Sequence, residues 1–238
     1  AQMPYVIQDF KGGEPATPGS LSSWQCPSQD PIVAFELIEE AAKRAGFLDK
    51  IAFAADCAAS EFYDEKSGLY QFLSKQLALD ELLSYYEKLT ERFPFLYIED
   101  PVQEDDWNGW QEAKKRLTRT VLIGDDLTVT NIDRLRQAVK ADVIGGFIFK
   151  PNQVGTVTEC LAAQAYAAEN GLFSIPSVRA GGSTNDSIVD MAIALGSAAV
   201  KHGPPRNGQS IHCINTMLRA EDQNPFAKPF DFSPFVRF

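Results

Sequence analysis

The chain has 238 residues, 45% of them hydrophobic and 23% charged, with a net charge of −10. That composition suits a globular protein with a sizeable core, and its acidity argues against nucleic acid or anionic membrane as a partner, since both call for basic patches. No apolar run approaches the ~20 residues of a membrane span, and AQMPYVIQDF lacks the layout of a signal peptide, so a cytoplasmic protein is expected.

Residues 1–32 read as an irregular segment, because KGGEPATPGSLSSWQCPSQDP is rich in Gly, Pro and Ser. A regular pattern covers residues 33–220. IVAFELIEEAAKRAGF has helical periodicity with a stop at Gly46. KIAFAAD reads as a strand, LDELLSYYEKLTERFP as a helix ended by Pro94, FLYIED as a strand and DWNGWQEAKKRL as a helix. TVLIGDD is a strand, and TNIDRLRQAVK is a helix capped by Thr130 or Asn131. GGFIFK, LFSIPSVR and AAVK are strands; VGTVTECLAAQAYAAENG, TNDSIVDMAIALG and GQSIHCINTMLRAEDQ are the helices that follow them. Residues 221–238 form a tail rich in Pro and Phe, expected as an extended arm that packs its aromatic rings.

Strands and helices alternate, which predicts an α/β fold with a parallel sheet. The strands are apolar throughout, as when both faces are buried. No GxGxxG or GxxxxGK[ST] is present, so a nucleotide-binding sheet lacks its signature and a (β/α) barrel is preferred. Six strands are legible where a full barrel has eight, so the barrel is expected to be incomplete at its amino-terminal end. Cys26, Cys57, Cys160 and Cys213 form no CxxC pair and read as free thiols. His202 and His212 are the only histidines, which excludes a histidine-rich zinc site.

Each apolar strand ends in a charge: Asp56, Glu99, Asp125, Lys150, Arg179 and Lys201, at spacings of 43, 26, 25, 29 and 22 residues. In a parallel barrel all six would ring the carboxyl-terminal mouth. Three carboxylates at close range repel one another, and a divalent cation relieves this. The ligands are hard oxygens, which selects Mg²⁺. The basic half of the ring suits an anionic substrate, with Arg179 able to grip it bidentately and Lys150 able to serve as a base. The alternative is that the acids and bases neutralise one another as ion pairs.

DCAASEFYDEKSGLYQF, YIEDPVQEDDWNGW, IGDDLTVTN, KPNQVGTVTE and AAVKHGPP resemble the carboxyl-terminal barrel of enolase, the phosphopyruvate hydratase family, from about residue 33 to 220. The resemblance implies an enolase-type barrel that converts 2-phosphoglycerate, a phosphorylated hydroxy acid, to phosphoenolpyruvate with Mg²⁺. It implies Asp56, Glu99 and Asp125 as metal ligands, Lys150 as the base, Arg179 as the phosphate contact and Lys201 as the carboxylate contact. It also implies a homodimer or a subunit of a larger complex.

The chain departs from the family at three positions. Val178 and Ala180 flank Arg179 where the family has His and Ser. The family's GDEGG segment, whose glutamate is the general acid, falls on GSLSS with Leu21 at the glutamate. Weakened or lost catalysis is therefore expected, as in the diverged enolases associated with cilia and sperm flagella. The alternative to a weakened enzyme is a non-catalytic component of such an assembly.

Overall fold

The computed structural model describes residues 2–179, 182–184, 187–224 and 226–236. Helix α1 (Met3–Phe10) opens it, where an irregular segment was expected. The helix forms because Pro4 suits a first turn and because Val6 and Ile7 bury against Leu37. Leu37 belongs to α2 (Pro31–Ala45), which starts on the Asp30 side chain, accepting from Ile32 N, and stops at Gly46 with φ of +75°. Residues 11–30 are mostly loop, with one 3-10 turn (Ser20–Ser22) and a bridge between Pro18 and Trp24.

The central sheet is parallel. Its strands are β1 (Phe53–Asp56), β5 (Phe95–Glu99), β6 (Val121–Gly124), β7 (Gly146–Phe149) and β8 (Phe173–Pro176), in that spatial order. Between β1 and β5 lies an antiparallel ribbon of β2 (Tyr63–Asp64), β3 (Leu69–Phe72) and β4 (Lys75–Leu77), which the sequence reading did not resolve into strands. The helices are α3 (Leu79–Arg92), α4 (Trp107–Arg116), α5 (Ile132–Ala141), α6 (Val157–Glu169), α7 (Ile188–Ala194) and α8 (Gly208–Gln223). The expected cap of α5 is Asn131, which accepts from Asp133 N and Arg134 N. The strand expected at AAVK does not form. It is reduced to one parallel bridge, Ser177 to Lys201. Likewise β8 stops at Pro176, so Val178 and Arg179 lie beyond the strand.

Alternate strand residues face two cores. Ile98, Leu122, Phe147 and Phe149 pack with helix residues such as Leu82, Leu135 and Ala163. On the other face, Val121, Ile123, Ile148, Phe173 and Ile175 form a second cluster with Tyr97, and the tail residues Phe232, Phe235 and Val236 cover it. Phe173 is the anchor, with ring centroids 5.7 Å from Phe232 and 5.0 Å from Phe235. The expected aromatic arm thus fills the inner face of the sheet, while Phe226 remains 86% exposed. Cys26, Cys57 and Cys160 are free thiols. Among the described residues, no helix is long and apolar enough to cross a membrane.

Candidate functional site

Because β1, β5, β6, β7 and β8 are parallel, their carboxyl ends share one rim. Register aligns Asp56 with Glu99 and Glu99 with Ile123, so Asp125 follows one step beyond the end of β6. Lys150 follows Phe149 at the end of β7, and the Lys201 bridge to Ser177 extends the sheet past β8. Lys201 Nζ lies 2.7 Å from Asp56 Oδ2 and 2.7 Å from Glu99 Oε1. The far edge thereby reaches the first strand, which requires the sheet to curl into an open half-barrel. Lys150 Nζ donates to Asp125 Oδ2. Two of the three bases, Lys150 and Lys201, are thus paired with the three acids, as in the ion-pair alternative, while no ion pair of Arg179 is found among the described residues.

The pairing leaves two oxygens over. Glu99 Oε2 and Asp125 Oδ1 are buried and have no hydrogen-bond partner. Burial pushes the Glu99 carboxyl up to about 8, against the pull of Lys201. The same burial lowers the Lys201 ammonium, but Glu99 and Asp56 outweigh it and hold the group above the usual lysine range.

Two overlapping carboxylate groups could hold an ion. One oxygen from each of Asp56, Glu99 and Asp100 lies within 4.8 Å of the others, and the same is true of Asp100, Asp125 and Asp126. Asp100 is common to both and was missed by sequence reasoning. Thr130 was also missed as a site residue: it is fully buried, and its Oγ1 accepts from Lys150 N at 2.9 Å. The doubled acids ED and DD were the only signal for Asp100.

On the basic side, Arg179 and Lys201 line a cleft of about 240 Å³ with Ser177, Val178, His202 and Asn207. The turn Ser20–Ser22 that contains Leu21 reaches its edge, where Asn207 Nδ2 donates to Ser22 Oγ at 3.4 Å. Arg206 Nη1 donates to Ser22 O at 2.9 Å and Ser23 O at 3.2 Å, and its guanidinium stacks 3.9 Å over Trp24. The Leu21 side chain and Ala180 lie outside the described residues. Val178 packs against the margin of the main core.

The model of the enolase C-terminal TIM barrel domain matches residues 12–231. This chain belongs to the enolase family. It is 34% identical over 223 residues to an enolase of Methanococcus maripaludis, covering 94% of this chain and 52% of that protein. It is 35% identical over 223 residues to an enolase of Methanocaldococcus jannaschii, with the same coverages of 94% and 52%. To an enolase of Aeropyrum pernix it is 34% identical over 220 residues, covering 91% of this chain and 50% of that protein. The chain spans about half the length of the curated relatives it matches, and its described residues form a curled parallel sheet of five strands.

The carboxylates gathered at this rim fit a hard divalent cation. Every candidate ligand is a carboxylate oxygen, and Glu99 Oε2 and Asp125 Oδ1 are buried acceptors without a donor. An unpartnered buried carboxylate oxygen is costly, and a cation satisfies it.

Proposed function

We propose that this chain carries an enolase-type site that holds Mg²⁺ through Asp56, Glu99 and Asp125 and acts on 2-phosphoglycerate, with dehydration weakened or lost. The observation that supports it is the pair of buried, unpartnered oxygens on Glu99 and Asp125, at the rim that also carries both lysines. Bound Mg²⁺ would supply positive charge against the negative charge that develops on the substrate carboxylate. Lys150 removes the proton from the carbon beside that carboxylate. Thr130 fixes the Lys150 backbone through its 2.9 Å contact. Arg179 grips the phosphate as a bidentate donor, and Lys201 contacts the carboxylate from the same cleft. Leu21, Val178 and Ala180 bring no proton donor or hydrogen-bonding group to the positions where the family has Glu, His and Ser.

The second reading is a non-catalytic component of a larger assembly, a ciliary or flagellar complex in the cytoplasm. It is favoured by Val178, an apolar side chain that lines the cleft and packs partly buried against the core, and by the exposed Phe226 of the arm.

Thermal melts with and without millimolar Mg²⁺ test the metal reading. At a hundredfold excess over Kd, binding to the native state alone should raise Tm by about 5–10 °C. Asp125→Ala should abolish the shift. An identical Tm for the parent at all Mg²⁺ concentrations would overturn the reading.

A further inference from the structure

Asp100 follows Glu99, so the two side chains leave the end of β5 in opposite senses. Its φ of +44° is a left-handed conformation that Asp tolerates better than most residues. The side chain, 1% exposed, reaches the turn after β6. Its Oδ1 accepts from Asp125 N at 3.1 Å and Leu127 N at 3.4 Å, and its Oδ2 from Asp126 N at 2.8 Å and Asp125 N at 3.2 Å. Both oxygens are thus taken by backbone donors, and Asp100 itself has little left to offer a cation. Asp125 is the opposite case: Oδ2 meets Lys150, while Oδ1 is buried and unpartnered.

The far end of the same turn is held independently. Val129 and Thr130 have φ of +43° and +57°, costly for β-branched residues. Thr130 Oγ1 accepts from Lys150 N, which ties the turn to β7. The segment carrying Asp125 is therefore clamped at its start by Asp100 and at its end by Thr130.

We propose that Asp100 is a positioning residue that aims the Asp125 carboxylate at the cation, a role that rests on the enolase-type metal reading above. A carboxylate is required because three N–H groups converge on its two oxygens. An amide in its place presents one acceptor and sets an NH₂ against a backbone N–H. Outer-shell partners of this kind typically change metal affinity by about 10- to 100-fold.

Calorimetric titration with Mg²⁺ alone, on the full chain, tests this for the parent, Asp100→Asn and Asp125→Asn. Asp100→Asn should bind about 10- to 100-fold more weakly, and Asp125→Asn more weakly still. Amide hydrogen exchange gives a second readout. In the parent, Mg²⁺ should slow exchange at Asp125, Asp126 and Leu127 by at least about tenfold beyond the change in the α6 amides. That measurement needs no variant, so it stands even if Asp100→Asn does not fold. Equal affinity in the parent and Asp100→Asn, or unaltered exchange at those three amides on binding, overturns the positioning role while leaving the metal site intact. No heat and no protection in the parent overturns the metal reading and the positioning role together.

Discussion

The Lys201 ammonium bridges Asp56 and Glu99 at 2.7 Å each, joining β1 to the last bridged residue of the sheet across 145 residues of sequence. Glu99 is fully buried, and this ammonium is the cation that touches it. Removing the ammonium takes from Glu99, whose carboxyl burial already pushes up to about 8, the charge that favours its ionised form, so a stranded carboxylate arises only above that pH. Lys201→Met should therefore destabilise the fold by about 3 kcal/mol in alkaline solution, where Glu99 would be ionised, and by less at neutral pH. Urea unfolding should show a lower midpoint with an unchanged slope. The double variant Lys201→Met with Glu99→Gln should recover part of the loss, since no charge is then stranded. A single variant as stable as the parent would mean that Glu99 does not depend on Lys201.

A second prediction concerns the close approach of β7 and β8. A Cβ built on Gly146 would meet Phe173 Cε2 at 2.7 Å, its Cδ2 at 2.8 Å and its backbone O at 2.8 Å. Phe173 cannot retreat freely, because Phe230, Phe232 and Phe235 pack around it. Gly146→Ala should cost about 1–3 kcal/mol through overpacking. Adding Phe173→Leu should relieve the two ring contacts but not the backbone one, so recovery should be partial. Full stability in Gly146→Ala would show that β8 shifts without cost.

Much of this site was readable because an apolar strand followed by a charge is a local pattern. Asp56, Glu99, Asp125 and Lys150 each stand at the end of such a run, and the parallel sheet carries them to one rim. Lys201 was placed at the same rim, although AAVK makes one bridge instead of a strand. There the chain runs beside Ser177, beyond the end of β8, where little ladder remains to be formed. Helix α1 was hidden by the Gly and Pro residues that follow it; what forms it is burial of Val6 and Ile7 against Leu37, a contact some thirty residues away that no local pattern records. Asp100 was hidden for a similar reason. Its partners are backbone N–H groups 25 to 27 residues away, which leave no mark on residue type.

A third prediction uses the acid limb of stability. Arg116 binds Glu87 through Nε at 3.0 Å and Nη2 at 2.6 Å, and Asp80 at 2.7 Å. The hydrogen bonds from Arg116 hold the Glu87 carboxyl below its ordinary value of 4.5. A depressed carboxylate contributes stability that is present above the unfolded pKa and lost as pH falls through the folded one. The Glu87 contribution should therefore be complete above pH 4.5 and disappear below it. Because Glu87 is partly solvated, it should amount to less than about 1 kcal/mol. Glu87→Gln should lower the melting temperature at pH 7, and the gap to the parent should shrink as pH falls below 4.5. A gap that persists undiminished into acid would remove the ion pair as its cause.

The last prediction concerns turnover. The full-length protein should form phosphoenolpyruvate from 2-phosphoglycerate very slowly or not at all. Two steps must be separated. On the proposed reading Lys150 removes the proton beside the carboxylate, with Thr130 accepting from its backbone N–H and the carboxylate cluster alongside. Exchange of that proton with solvent should therefore remain detectable wherever substrate binds. Expulsion of hydroxide is different, since hydroxide is a poor leaving group and needs a proton donor. Leu21 stands at the position assigned to that donor and has no proton to give, and its loss should cost about 10²–10⁴-fold. Val178 can offer the substrate no hydrogen bond from its side chain, and it packs against the core. The measurement is phosphoenolpyruvate formation by the parent and by a Leu21→Glu, Val178→His, Ala180→Ser variant, beside proton exchange in both. Exchange without dehydration in the parent, and dehydration gained in the variant, is the expected outcome. Robust dehydration by the parent would mean that another residue supplies the acid and that catalysis is intact.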